Sequence, residues 1–347
     1  MTYCAAWIYN GAACLVADSA ITTSGSPRVS ESSIGERTFV DCNRTVEEGA
    51  LKLVDLGEGT IAALAGDARR GYEMLEFLSR EIRAGANVPE AITALERSHG
   101  PFAEERSVEL LLATSSSDGD ARIYRWNTMG SFEHSDEFLD VGSGSVELGS
   151  YIYRFILDLK EDDTRAWESV DLVAAYLQAL TIHVYMLEWS VGGIMAGARS
   201  ENGETHWASD RLIMPVDGPT LQPSGLISAI FREGVHVVRS SLNNATSFFA
   251  TTLSAGDVGS AHWTQSIAGQ LSTINYVCWV FVDLRERAFS VVFRTSFDKP
   301  PRFVQLRQIG SGITEVAISK PLADLLAERR SAYSNTEAPY AISIYYD

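Results

Sequence analysis

Hydrophobic and polar positions alternate between two kinds of pattern along this chain. Residues 2–8 form an apolar run, Asn10-Gly11 is the strongest short hairpin signal, and 12–17 is the apolar return strand. Residues 49–54 read as a strand with one lysine, Lys52, among apolar neighbours, and 61–67 as a strand that closes on Gly66. The pattern then turns helical. Tyr72, Leu75, Leu78 and Ile82 mark one face of a helix over 67–84, and a second helix fits 88–97, with Pro89 in its first turn. Strands are predicted over 107–114 and 121–126, joined through Ser117-Asp118-Gly119-Asp120, and over 138–141. A helix follows over 146–159. The next has the clearest stripe, with Val170, Val173, Leu177, Leu180, Val184 and Leu187 at alternating steps of three and four. The stripe is too short for a coiled coil and predicts packing on a helix or sheet. It stops near Ser190-Val191-Gly192-Gly193, before a hairpin of 194–199 with 205–208.

Strands, two helices, strands, two helices and strands again predict an α+β fold in which two sheets lie between helix layers. Two stretches interrupt the order. Residues 22–48, rich in Ser, Thr, Gly and charge, read as an excursion or surface loop, with a lid or subunit contact as the functional alternative. Pro215, Pro219 and Pro223 around Asp217-Gly218 mark a boundary, giving domains 1–214 and 215–347. The second is expected to be a mixed α/β extension. Helices are expected over 226–238, 260–271 and 320–330, a hairpin of 275–284 with 287–296, and a strand over 340–346.

Composition narrows the function. The 347 residues are 46% hydrophobic and 21% charged, enough for a large core. A net charge of −17 argues against a nucleic-acid partner, because phosphate binding depends on Lys and Arg. No apolar run reaches membrane-span length and no basic or cleavable leader is visible, so a cytoplasmic location with no membrane partner is expected. Cys4, Cys14, Cys42 and Cys278 show no metal-ligand spacing, and the six histidines form no cluster or H-E-x-x-H. No metal or cofactor is therefore expected. No G-x-S-x-G elbow occurs, and Gly142-Ser143-Gly144 is neither G-x-G-x-x-G nor a Walker loop.

Thr2 offers chemistry of its own. Removal of Met1, which a small second residue permits, leaves a hydroxyl beside its own α-amine. With a pKa of roughly 8 that amine can take the hydroxyl proton as the oxygen attacks a carbonyl. The β-branched side chain also limits the rotamers of that hydroxyl. Val16-Ala17-Asp18-Ser19 places an acid one hairpin away.

The order Thr2, Ala17-Asp18, Lys52, Ala65-Gly66 and Val141-Gly142-Ser143-Gly144-Ser145 resembles the proteasome β-subunit and HslV-type family of N-terminal nucleophile hydrolases. The opening Met1-Thr2-Tyr3-Cys4 is closer still to the bacterial proteasome-related Anbu proteins. The resemblance covers residues 2 to about 210 and implies a four-layer αββα sandwich. It implies Thr2 as nucleophile and Lys52 as a cation that lowers the amine's basicity by like charge. Asp18 would pair with Lys52, the Gly66 N–H would bind the oxyanion, and Ser143 would shuttle protons near the amine. The family's aspartate three residues before Ser-Gly-Gly is Glu188 here. Its extra methylene shifts the carboxylate, and Ser190 is one place out of register. The expected activity is that of a threonine peptidase or amidase, assembled as a homo-oligomeric ring or open helical stack, with room for an unfoldase partner. The alternatives are a silent subunit acting as scaffold, with Met1 retained, and an amidase for small molecules.

Overall fold

The computed structural model describes residues 2–347 apart from 29, 42–43, 100–106, 163, 185, 218–221, 233–234, 243–245, 251–274, 299–300, 311–312 and 334–340. The chain opens with β1 (Cys4–Tyr9) and β2 (Ala12–Ala17), antiparallel around Asn10 and Gly11. Both turn residues have positive φ, the geometry whose twist matches a two-residue hairpin. After β2 come β3 (Ala20–Thr23), β4 (Phe39–Asp41) and β5 (Arg44–Glu48), then β6 (Leu53–Gly57), β7 (Thr60–Gly66), α1 (Ala68–Arg83) and α2 (Val88–His99). Next are β8 (Val108–Ser115), β9 (Ala121–Asn127), β10 (Phe132–Ser135), β11 (Phe138–Val141), α3 (Ser145–Glu161) and α4 (Ala166–Val184). A hairpin of β12 (Ala196–Glu201) and β13 (Glu204–Trp207) closes this part.

The architecture is α+β with largely antiparallel sheets. One sheet has the order β11-β1-β2-β12-β13 and another β10-β9-β8-β7-β6. The two sheets touch through β1, β2 and β12 against β7, β8 and β9, while α1 lies on β6–β8 and α4 on β2 and β12. Every residue of β2 is buried because both faces are covered. A strand covered on both sides carries a continuous apolar run, as Ala12–Ala17 does. Between α1, α2 and their sheet, Leu64, Leu75, Leu78, Leu112 and Trp126 form a separate apolar cluster.

The C-terminal part begins earlier than the prolines suggest. β14 (Arg211–Asp217) contains Pro215, so the boundary expected at 214/215 falls inside a strand. With β15 (Gln222–Pro223), β16 (Ile227–Arg232), β17 (Val235–Ser240), β18 (Thr246–Ala250), β19 (Cys278–Asp283), β20 (Ala288–Phe293) and β23 (Ala341–Tyr346), β14 builds one sheet. A hairpin of β21 (Val304–Gly310) and β22 (Ile313–Ile318) precedes α5 (Lys320–Tyr333). The helix expected over 226–238 is instead the β16–β17 hairpin. Ile227, Ala229 and Phe231 join the core shared with α4, whereas Ile230, Val235 and Val237 join the opposite one. With apolar residues on both faces, the strand's period of two is hidden in the sequence. The helix expected over 260–271 lies outside the described residues. The expected hairpin between 275 and 296 is β19–β20.

α4 is covered on two sides, since β19 and β20 pack on it opposite β2 and β12. Glu168 to Ile182 is accordingly buried all round rather than along one stripe. Residues 22–48 also differ from the expected loop: β3, β5 and β4 pair in that order as a small sheet. Among the described residues no helix is long and apolar enough to cross a membrane.

Candidate functional site

Thr2 lies just before β1, and Asp18 just after β2, so the hairpin register sets them side by side. The Asp18 N–H donates to the Tyr3 carbonyl at 3.2 Å, and the Tyr3 N–H returns to Asp18 Oδ1 at 3.2 Å. Lys52 is one residue short of β6, where its carbonyl accepts the Leu64 N–H at 3.3 Å. It therefore enters the site from the second sheet. Its ammonium donates to Thr2 Oγ1 at 2.5 Å and to Asp18 Oδ1 at 2.6 Å. All three residues are at most 3% exposed. A buried ion pair is held only where further hydrogen bonds satisfy it. Here Asp18 Oδ2 accepts the Gly192 N–H at 3.0 Å, and Oδ1 the Tyr3 N–H.

Two glycines shape the space around Thr2. Gly142 has φ +99°, and a Cβ there would lie 2.0 Å from the Thr2 carbonyl oxygen. Only glycine allows that approach. The Gly144 N–H donates to the same carbonyl at 3.4 Å, and Glu109 Oε2 accepts the Gly142 N–H at 3.1 Å. Gly66, at the end of β7, has φ +94°, and a Cβ would meet the Ser107 carbonyl at 2.1 Å. The following residue, Asp67, caps α1 by accepting the Arg70 N–H at 3.0 Å. Gly66 shares with Thr2 and Lys52 a cavity of about 330 Å3, also lined by Ile21, Leu64 and Tyr72.

Thr2, Asp18, Lys52 and Gly66 are thus brought together. Ser143 sits in the adjoining turn, where its exposed hydroxyl donates to the Trp189 carbonyl at 3.3 Å. Glu188 lies in the 3-10 turn Leu187–Trp189 at the end of α4, and its side chain is outside the described residues. The acids found at this turn come from elsewhere in the chain. Glu36 Oε1 accepts the Leu187 N–H at 2.5 Å, and Glu48 Oε1 accepts the Ile194 N–H at 2.8 Å. Both carboxylates are carried by the segment read from sequence as a surface excursion. Burial pushes the Glu36 acid up to about 8, against the lowering effect of the Leu187 and Gly193 N–H groups, with Glu48 and Asp18 raising it further. Gly192, Glu109, Glu36 and Glu48 were not identified from sequence. Gly192 had a signal in the Gly-Gly pair; a glutamate in a polar stretch has none.

Among the described residues no group of His, Cys, Asp and Glu is arranged to hold a metal ion. Compared with known proteins, the chain matches no family model and none of the curated proteins.

Proposed function

We propose that this chain is a threonine-type N-terminal nucleophile hydrolase, a peptidase or amidase related to the proteasome β-subunit and HslV-type enzymes. The observation that carries the reading is the buried contact of the Lys52 ammonium with both Thr2 Oγ1 and Asp18 Oδ1. A snorkelling or edge lysine would reach water, whereas this one is spent on a hydroxyl and an acid. The paired sheets with α1 and α2 outside one, and α3 and α4 outside the other, support the four-layer αββα reading.

Once Met1 is removed, the Thr2 α-amine takes the proton of its own hydroxyl, directly or through a water, as Oγ1 bonds to the substrate carbonyl carbon. The Lys52 ammonium, already on Oγ1, stabilises the oxygen as it loses that proton, and Asp18 holds the ammonium there. The carbonyl oxygen becomes an oxyanion, for which the Gly66 N–H is the donor. One preorganised donor of this kind supplies about 3 kcal/mol to the transition state. Collapse breaks the C–N bond, and the leaving amine takes the proton from the Thr2 ammonium. Water then attacks the ester and gives a proton to the free α-amine; collapse breaks the C–Oγ1 bond, Oγ1 takes that proton back from the ammonium, and the acid is released. Rings or open stacks of copies belong to the same reading.

Intact mass of the purified chain is the test. Loss of one methionine residue, followed by a covalent adduct with a threonine-directed β-lactone that Thr2→Ala abolishes, is the expected result. Retained Met1 in soluble protein would instead favour the silent-subunit alternative.

A further inference from the structure

We propose that Glu36, carried on the β3–β5 segment, is a positioning residue for the Thr2 site, holding residues 187–194 in the shape that delivers the Gly192 N–H to Asp18. The proposal rests on the hydrolase reading above. Its geometry stands on several contacts. Glu36 Oε1 accepts the Leu187 N–H at 2.5 Å, at one end of the turn, and the Gly193 N–H also faces this carboxyl. A Cβ on Gly192 would lie 2.7 Å from Glu36 Oε2, so the carboxyl is packed directly against the residue whose N–H reaches Asp18. Glu48 pins the other end through the Ile194 N–H. Glu48 is itself held by the Ser33 N–H and hydroxyl at 2.6 and 2.8 Å, and by the Ser19 hydroxyl at 3.2 Å. The Ser19 N–H, next to Asp18, donates to the Gly192 carbonyl at 3.2 Å. The turn is therefore clamped between two acids on one side and Asp18-Ser19 on the other.

Charge gives the clamp a working range. Glu36 is 2% exposed, and the charged groups facing it, Glu48 and Asp18, are both acids. The Lys52 ammonium is committed to Asp18 and Thr2. With its acid pushed up to about 8, Glu36 is neutral at pH 7 and accepts the Leu187 N–H without repelling its acidic neighbours. Because the folded value lies above the unfolded one, the contribution is complete at low pH and is lost as the pH rises through about 8. Ionisation above that point puts a third negative charge beside Glu48 and Asp18 and loosens the turn.

The test uses the full chain with Met1 removed, as wild type, E36Q and E36A. Two quantities are followed: the rate of adduct formation with a β-lactone against pH, and deuterium uptake of the 187–194 backbone. In wild type the rate should peak near pH 8 and fall about threefold by pH 9 and about 25-fold by pH 10. E36Q keeps the shape of the neutral acid and cannot ionise, so it should lack the alkaline fall and stay within about threefold of wild type at pH 7. E36A should label about tenfold more slowly at pH 7 and take up deuterium faster at 187–194. An E36Q profile with the wild-type alkaline fall, or an E36A protein with wild-type rate and uptake, overturns the proposal. If E36A does not fold, the E36Q profile decides. If wild type lacking Met1 forms no adduct at all, the hydrolase reading fails by itself. The clamp is then judged by uptake at pH 7 and 9.5, corrected for intrinsic exchange, and is overturned if that uptake is the same at both.

Discussion

Replacing Lys52 by methionine tests the site through stability and reactivity at once. The substitution keeps the unbranched stem and removes the ammonium. Asp18 is then left buried with the Tyr3 and Gly192 N–H groups as its described partners. Removing one member of a buried ion pair costs about 3–5 kcal/mol, and the two remaining donors place this case at about 3 kcal/mol. Asp18→Asn should cost a similar amount, because it strands the ammonium instead. The double variant leaves neither charge uncompensated, so its loss should be smaller than the sum of the single losses by about 2 kcal/mol. Reactivity should follow a different rule. Losing the donor on Thr2 Oγ1 removes transition-state stabilisation, and the rate of β-lactone adduct formation should fall about 10²–10³-fold. The double variant should not recover it. Urea unfolding of the four proteins gives the stability cycle, and intact mass against time gives the rates. Additive stability losses would show that the 2.6 Å pair is not energetically coupled. A K52M rate within about threefold of wild type would remove Lys52 from the mechanism.

Gly142 and Asp140, at the end of β11, give two further predictions. Gly142→Ala forces a Cβ towards the Thr2 carbonyl at a φ of +99°, so adduct formation should fall at least about 100-fold while circular dichroism keeps its wild-type form. A wild-type labelling rate would mean that the turn does not set the position of Thr2. Asp140 is half-buried near Glu109 and Arg125; burial raises its acid to about 6, with Arg125 lowering and Glu109 raising it. Its folded value exceeds the unfolded one, so stability is lost as the pH climbs from about 4 to 6. Asp140→Asn should flatten that decline and gain about 1 kcal/mol at pH 7 after allowance for solvent screening, which pH-dependent urea midpoints will read.

Much of the site could be read from sequence because its parts are tied to local signals. Asn10-Gly11 fixes the hairpin, the hairpin fixes the register, and the register brings Asp18 to Tyr3. Lys52 stood out as a cation in an apolar run, although only the packing of two sheets shows where its ammonium goes. What could not be read depended on contacts distant in sequence. Glu36 and Glu48 lie in a polar stretch, and the N–H groups they bond, those of Leu187 and Ile194, are about 150 residues away. The β16–β17 hairpin was hidden for a different reason. A core shared with α4 residues on one face and a second core on the other remove the polar half of the alternation, leaving a composition that suits helix and strand alike.

Thr2 and Asp18 are delivered by one sheet, Lys52 and Gly66 by the other. All four lie within residues 2–66, yet they meet only where the two sheets pack against each other. On the proposed hydrolase reading, the reactivity of Thr2 would act as a strain gauge for that packing. Packing changes at Leu15 or Leu111, buried in the core the two sheets share, can be registered as altered reactivity without any direct touch on Thr2. On the same reading, a chain still being synthesised or partly unfolded would carry the threonine without its Lys52 and Asp18 contacts, and would stay unreactive until the sheets close on each other.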